Sequence, residues 1–297
     1  MKKLRDLSII LFIYILAYGA GYAACFMIEN ILLQMFVFDV AATFVTFCFS
    51  LILRNSSVYD AYWSLTPMVI SIWLFVYLKA FSAWQILFLV VFNVWSLRLT
   101  VNWIIVFTDF SYEDWRYKKY REEHGSFVWF ILNFFGIHYM PTFIVFAGML
   151  PLFRIALCGM DALSLIGMAV ILLGTAFEFF ADRSMHAFLA QTMDSAEKRV
   201  CRKGLWNYSR HPNYLGEITV WWGVFFVMLP YAPNYWYFGA GAVAVTILFN
   251  LVSIPLMEKR QMLRRPDYAE YKKPPLAYLS CLTKNRRRIQ TNNCAKL

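Results

Sequence analysis

One short stretch of the chain places four reactive polar side chains directly before an apolar run. Residues 204–222 read GLWNYSRHPNYLGEITVWW. Arg210, His211, Asn213 and Glu217 lie where the hydrophobic segment begins. A proline suits the first position of a helix, and the free N–H groups of that first turn form a natural anion site. The alternation of these four polar types favours the binding of a phosphate-bearing ligand over simple contact with lipid headgroups.

Other polar residues interrupt apolar segments in the same way. An ionisable group at the bilayer centre costs about 2.5–3.5 kcal/mol or more, so each such residue is a functional candidate. Three pairs are spaced four apart and therefore share a helix face, which predicts that they point into a common interior. The candidates are Asp60, Asn93, Arg98 with Asn102, Glu178 with Asp182, Asn213 with Glu217, Glu258 and Arg260.

The composition predicts that helices embedded in a membrane position these groups. The 297 residues are 60% hydrophobic and only 15% charged, whereas soluble domains are about a quarter charged. We expect a single all-α domain over residues 1–297, built as a polytopic transmembrane bundle of seven or eight spans. The apolar segments lie at 7–28, 34–53, 65–82, 84–107, 127–153, 161–181, 214–230 and 235–256.

The distribution of basic residues predicts the topology. With Lys2, Lys3 and Arg5 in the cytoplasm, every second loop is cytoplasmic, and those loops hold most of the Lys and Arg, as the positive-inside rule requires. Eight spans place both termini in the cytoplasm, and all the polar candidates except the deeper Asn93 then gather at the cytoplasmic leaflet. If 65–82 or 214–230 is re-entrant, seven spans remain.

The remaining features favour plain structural interpretations. The net charge of +10 is explained by topology and no solvated basic domain is long enough to bind nucleic acid, while the six cysteines form neither a disulfide framework nor a metal site. FGAGAVAV at 239–246 is typical of close helix packing. The segment 109–125 is an interfacial helix or a lid, with Arg116 as a candidate ligand contact, and the basic tail 281–297 is expected to be solvated.

Six motifs in order give the chain a family resemblance. DAYWS, RLTVNW, EDWRY, FEFFADR, GLWNYSRHPNYLGE and PLMEKRQMLRRPDYAEY, spread over residues of about 40–280, resemble the steroid 5α-reductase-like membrane family. Specifically, they resemble its bacterial branch, which carries the label of a domain of unknown function (DUF1295-like). The resemblance implies a helix bundle that binds NADPH in a cavity open to the cytoplasm and transfers a hydride to the β-carbon of a lipid enone, steroid or isoprenoid-like.

The resemblance also implies roles for individual residues. Most would hold the adenosine, phosphates and nicotinamide amide of NADPH, while Glu217 would orient its helix or bind the ribose side. The implied cofactor residues are Arg98, Asn102, Arg116, Glu178, Asp182, Arg210, His211, Asn213, Tyr214, Glu217, Glu258, Arg260 and Tyr268.

The catalytic positions depart from the animal steroid enzymes, which polarise the ketone with a Glu–Tyr pair. Asp60 matches the glutamate, but Trp95 stands where the tyrosine is expected and has no phenol proton to give. Tyr59, Tyr62 or Tyr112 could substitute, and nothing in the sequence selects among them. Asp60 in an apolar pocket would have a raised pKa, which suits a proton donor.

Two other functions are compatible with the same motifs. Isoprenylcysteine and phospholipid methyltransferases carry a related Arg-His-Pro element and bind S-adenosylmethionine, although they close with a Glu-Glu pair where this chain has only Glu258. A non-catalytic sterol-binding scaffold is the third possibility. For the reductase we expect a lipid-like substrate, a monomer surrounded by membrane lipids, and a bacterial inner membrane with the cofactor site on the cytoplasmic side.

Overall fold

Helices account for all the regular structure in the part of the chain that is described. A computed structural model describes residues 1–192 and 199–273, and neither range contains a strand. The basic tail 281–297 lies outside these residues, as does the end of the family-like region after 273. The helices are α1 (Lys2–Cys25), α2 (Ile31–Leu53), α3 (Tyr62–Tyr77), α4 (Ala83–Val106), α5 (Trp115–Glu123), α6 (Ser126–Leu157), α7 (Ser164–Thr192), α8 (Pro212–Met228), α9 (Pro233–Arg264) and α10 (Tyr268–Lys272).

Six of these helices are long and apolar enough to cross a membrane, so the protein is an all-helical, multi-pass membrane protein. The six are α1, α2, α4, α6, α7 and α9. The other two expected spans do form helices, but α3 has 16 residues and α8 has 17. At 1.5 Å per residue they measure about 24 and 26 Å, less than the hydrocarbon core of about 30 Å. The expected count of seven or eight spans is therefore not confirmed.

One boundary differs clearly from the expectation. The sequence predicted a span ending near residue 181 and a cytoplasmic loop over 182–213, but α7 continues as helix to Thr192. The residues FADRSMHAFLAQ contain no glycine or proline that would end a helix after the apolar run. Asp182 therefore lies inside α7, one turn beyond Glu178. By contrast, α8 begins at Pro212, as the proline predicted.

The residues divide into two compact units. The first contains residues 1–168 and 224–242, and the second contains residues 169–223 and the chain from Val243 onward. The boundary passes through α7, α8 and α9. The expectation of a single domain stays a prediction.

In the first unit, a polar network fixes the segment between α2 and α3. Asn55 caps the short 3₁₀ turn Ser56–Tyr59 and donates to the carbonyls of Phe110 and Tyr112. Tyr14 in α1 donates to the carbonyl of Val58 at 2.6 Å. Buried backbone groups outside helices need such partners. The segment carrying Asp60 is consequently held between α1 and the chain before α5.

Glycines permit two close helix contacts. In the first unit, a β-carbon on Gly241 would lie 2.3 Å from the backbone of Ala147, in agreement with the packing interpretation of FGAGAVAV. In the second unit, a β-carbon on Gly216 would lie 2.6 Å from the carbonyl oxygen of Gly174 and 2.6 Å from Cγ of Glu178. Helices α7 and α8 therefore touch backbone to backbone, one turn after the polar start of α8.

We predict that Gly216→Ala destabilises the protein, because the added methyl group has no space between α7 and α8. Overpacking of this kind costs about 1–3 kcal/mol. Thermal unfolding of the purified protein in detergent measures the effect. Gly19→Ala is the matched control, since a β-carbon at Gly19 meets nothing within 4 Å. Equal unfolding temperatures for the two variants would contradict the close contact.

Candidate functional site

One buried carboxylate in the second unit contacts three basic side chains. Arg210 Nε donates to Glu258 Oε1 at 2.9 Å, and His211 Nε2 lies 3.3 Å from the same oxygen. Lys272 Nζ lies 2.8 Å from Glu258 Oε2. Arg210, His211 and Glu258 are all buried. The start of α8, the end of α9 and α10 are thereby joined through one acidic group.

The turn before α8 has its own supports. Ser209 Oγ accepts the N–H of His211 at 3.2 Å, and the Ser209 carbonyl accepts the Tyr271 hydroxyl at 3.1 Å. Trp206 Nε1 donates to the carbonyl of Ala181 at 2.8 Å, which fixes the 3₁₀ turn Gly204–Asn207 against α7. These bonds set the direction in which Arg210 and His211 leave the backbone.

A cavity of about 280 Å³ lies beside this cluster. Its walls come from α7, the segment around Val200, the first turn of α8, the end of α9 and α10. The rings of His211 and Tyr214 stack 5.5 Å apart within it. It brings together six residues that the sequence predicted for cofactor binding, namely Arg210, His211, Asn213, Tyr214, Arg260 and Tyr268.

The electrostatics of the cavity favour an anionic ligand. Three arginines line it, Arg210, Arg260 and Arg265, and the neighbouring Glu258 neutralises the first of them most directly. Burial raises the pKa of Tyr268, so its hydroxyl keeps its proton at neutral pH and can donate a hydrogen bond. Burial lowers the pKa of Arg265, which donates to the carbonyl of Arg199 at 2.8 Å.

Four other predicted cofactor residues lie in the second unit but do not line this cavity, namely Glu258 in the ion cluster, Glu217, Glu178 and Asp182. Glu217 accepts the indole N–H of Trp221 at 3.0 Å, a contact within α8. Glu178 is buried against Gly216. Asp182 is half-buried on α7. Through its contact with Gly216, Glu178 contributes to the packing of α7 against α8.

Three further predicted cofactor residues belong to the first unit. Arg98 and Asn102 lie one turn apart on α4, and both are half-buried. Arg116 starts α5, where its guanidinium forms two hydrogen bonds with Asp114, the residue that caps the helix, at 2.8 and 3.1 Å. The same guanidinium lies 5.6 Å from the ring centre of Tyr117.

The three catalytic candidates also lie in the first unit. Asp60 is half-buried and accepts the hydroxyl of Tyr117 at 3.0 Å. Burial raises the pKa of Asp60 to about 7, and the nearby Asp114 contributes to the rise. Tyr62 is buried and donates to a carboxylate oxygen of Asp39 at 2.8 Å. Trp95 is fully buried in α4.

A family model for proteins of unknown function, DUF1295, matches residues 46–274. The protein belongs to the DUF1295 family. No curated protein and no solved structure matches the chain. The family region contains every candidate cofactor and catalytic residue named above, from Asp60 to Tyr268.

Sequence reasoning missed Asp39 in this DUF1295 protein. Asp39 is the only acidic residue in α2, and it is buried in a spanning helix. That isolation was a usable signal, because an intramembrane carboxyl needs a partner. Asp39 and Tyr62 line a narrow internal space together with Tyr59 and Thr142, whose hydroxyls are 2.6 Å apart.

The contributions of Arg265, Tyr271 and Lys272 to the second unit were also missed. Tyr271 lies three residues after Tyr268 and so shares its helix face, which was visible in DYAEYK. Nothing in the sequence marks Lys272 as the partner of Glu258, since a contact between α9 and α10 depends on the turn between them.

We predict that Glu258→Gln destabilises this DUF1295 protein, because it removes the carboxylate charge that pairs with the buried Arg210. Breaking a buried ion pair in this way costs about 3–5 kcal/mol. Unfolding of the purified protein by heat or denaturant measures the loss. Glu270→Gln is the control, since Glu270 is exposed and contacts Arg202 only at 3.6 Å. If Glu258→Gln is as stable as this control, the ion pairs of Glu258 do not stabilise the fold.

Proposed function

We propose that the protein is a membrane-embedded, NADPH-dependent reductase that reduces the carbon–carbon double bond of a lipid enone, with a steroid or isoprenoid-like acceptor. The observation that carries the proposal is the cavity of about 280 Å³ that gathers six of the predicted cofactor residues. Their types fit a nucleotide. Arginines bind phosphate through paired N–H donors, and aromatic rings offer stacking faces.

The donor set fits one end of NADPH. Arg260 and Arg265 offer cationic donors, and the positive end of the α8 helix dipole lies beside them. Tyr214 and His211 provide the aromatic surface. Ligand pockets usually measure about 300–1,000 Å³. The cavity of about 280 Å³ lies just below this range, so it has room for only one part of the dinucleotide. The ion cluster around Glu258 would keep this end of the site in shape before binding.

The catalytic part of the proposal assigns the proton donor. NADPH, when bound, supplies a hydride for the β-carbon of the enone. The pKa of Asp60 is about 7, so its carboxyl is protonated below that pH. The protonated carboxyl would donate a hydrogen bond to the acceptor carbonyl and stabilise the enolate as it forms. The hydroxyl of Tyr117 holds this carboxyl in place at 3.0 Å. The enolate then takes up a proton from water at its α-carbon, which completes the reduction.

Tyr62 and Trp95 receive supporting roles in this scheme. The Tyr62 hydroxyl is already engaged by Asp39, so it orients that carboxyl or serves as a second donor. The indole of Trp95 is fully buried and has no acidic proton, which suits a wall of the acceptor site. The resemblance to the bacterial branch favours a bacterial inner membrane, and the basic loops favour a cofactor site on its cytoplasmic side.

We predict that Arg260→Gln weakens NADPH binding about tenfold to a hundredfold, because a charge-assisted hydrogen bond contributes about 1.5–3 kcal/mol. Arg264→Gln is the matched control, since Arg264 is an exposed arginine one turn later that does not line the cavity. Equilibrium titration of the purified protein in detergent measures both dissociation constants. Equal affinities for the two variants would contradict the cavity as the cofactor site.

The same titration separates the competing functions. A reductase binds NADPH and consumes it when lipid enones are added, whereas a methyltransferase binds S-adenosylmethionine and ignores NADPH. Binding of a sterol without any oxidation of NADPH across an enone panel would indicate a scaffold. Either of the last two results contradicts the proposal.

We predict that Asp60→Asn lowers turnover about a hundredfold while NADPH binding stays unchanged, since general-acid catalysis contributes on this scale. A proton donor works only while it holds its proton. Wild-type turnover should therefore fall as the pH rises through about 7, and this fall should disappear in the variant. Asp109→Asn, at a solvent-accessible acid outside the proposed site, should behave as wild type. Unchanged turnover in Asp60→Asn, with turnover lost in Tyr62→Phe, would transfer the role to the Asp39–Tyr62 pair.

A further inference from the structure

A second cavity, of about 330 Å³, lies in the first unit, between the end of α2 and the start of α6. Its floor is polar and buried. Ser56 Oγ donates to Asn133 Oδ1 at 2.8 Å, and Asn133 Nδ2 contacts Ser50 Oγ at 3.4 Å. None of the functions above uses this cavity.

The wall of the cavity is basic. Arg54, Arg121 and His124 all line it. Arg121 forms an ion pair with Glu113, and its guanidinium lies 5.2 Å from the ring centre of Trp129, which also lines the cavity. The side chain of Arg54 is exposed and makes no hydrogen bond or ion pair with any described residue. One arginine is thus fixed in place and the other is available.

Arg54 occupies a backbone position that normally selects glycine. It follows α2 with φ of 50° and ψ of 37°, the left-handed conformation that ends many helices. A side chain is unfavourable there, because its β-carbon crowds the backbone. The chain therefore places a cation at the mouth of the cavity although glycine would suit the helix end better, and such local strain is found at binding sites.

The position of the cavity along the spanning helices sets its depth in the membrane. Arg54 directly follows the spanning helix α2, and Ser126 begins the spanning helix α6. Both helix ends lie at the boundary between hydrocarbon and water, where tryptophans such as Trp129 concentrate. Leu51, which also lines the cavity, and Phe127 beside Ser126 are exposed and apolar. The cavity consequently has cationic groups at headgroup level and apolar side chains toward the lipid tails.

We propose that this cavity binds the phosphate of an anionic phospholipid headgroup. Arg54 and Arg121 would hold the phosphate oxygens, with His124 and the hydroxyl of Ser126 at its edge. Glu113 offsets the charge of Arg121, so the site carries a small net positive charge that suits a phosphodiester with one negative charge. The exposed Leu51 and Phe127 give the acyl chains a surface that a soluble phosphate would not use.

The test measures lipid retention by native mass spectrometry on the full-length protein, purified with phosphatidylglycerol or phosphatidylcholine. We expect wild-type protein to retain phosphatidylglycerol preferentially. Arg54→Gly should lower that retention about fivefold, the usual effect of one basic residue at an anionic surface. Arg54→Lys should keep most of it, because a cation remains at the same position.

Lys79→Gly is the matched control. Among the described residues, Lys79 is the other non-glycine residue with a positive φ, at 53°, and it is an exposed cation after α3 that does not line the cavity. Glycine is compatible with the backbone at both positions, so both variants should fold, which thermal unfolding checks. Equal retention in Arg54→Gly and Lys79→Gly would overturn the proposal, as would equal retention of the two lipids. Displacement of phosphatidylglycerol by inorganic phosphate or by NADPH would also overturn it, since the ligand would then be a soluble phosphate.

Discussion

The arrangement of the second unit depends on a single buried carboxylate. Glu258 at the end of α9 contacts Arg210 and His211 at the start of α8 and Lys272 in α10, so it joins three segments of the chain. Removing ions from water costs several kcal/mol for each ion, and only a close and hydrogen-bonded arrangement recovers it. The ends of α8, α9 and α10 must therefore meet at this point. The cavity beside the cluster exists because these three ends are held there while their remaining side chains diverge.

This constraint divides the basic residues into two groups. Arg210 supports the structure, since its Nε donates to Glu258 and its Nη1 donates to the carbonyl of Lys272. Arg260 lies on α9, about half a turn from Glu258, and lines the cavity, where its charge would contact a bound ligand. The two motifs RHPNY and MEKR thus supply both the structural support of the site and its ligand contacts. This explains why each is a dense group of polar residues next to an apolar run.

Much of this could be predicted from the sequence because it depends on local pattern. Apolar runs predicted the helices, and Pro212 predicted the start of α8. Contacts between distant segments could not be predicted, because periodicity does not show which partner a side chain meets. The Asp39–Tyr62 pair joins residues 23 apart, and Lys272 reaches Glu258 only through the turn before α10. The predicted end of α7 was too early, because the hydropathy falls after residue 181 whereas the helix continues to Thr192.

The buried carboxyls of the chain differ in their partners, and this difference separates structural from chemical roles. Glu258 has three basic partners, so its charge is balanced and its position fixed. Asp39 has the phenol of Tyr62, inside a spanning helix. Asp60 accepts the phenol of Tyr117 and has partial access to water. Burial and the nearby Asp114 raise its pKa to about 7 against the opposing effect of Arg116, and protons are exchanged at that value at physiological pH. A group that can both hold and release a proton near neutrality is suited to catalysis, whereas a carboxylate surrounded by cations is suited to support. This contrast, more than sequence position, is the reason to place acid chemistry at Asp60 and anion binding near Glu258.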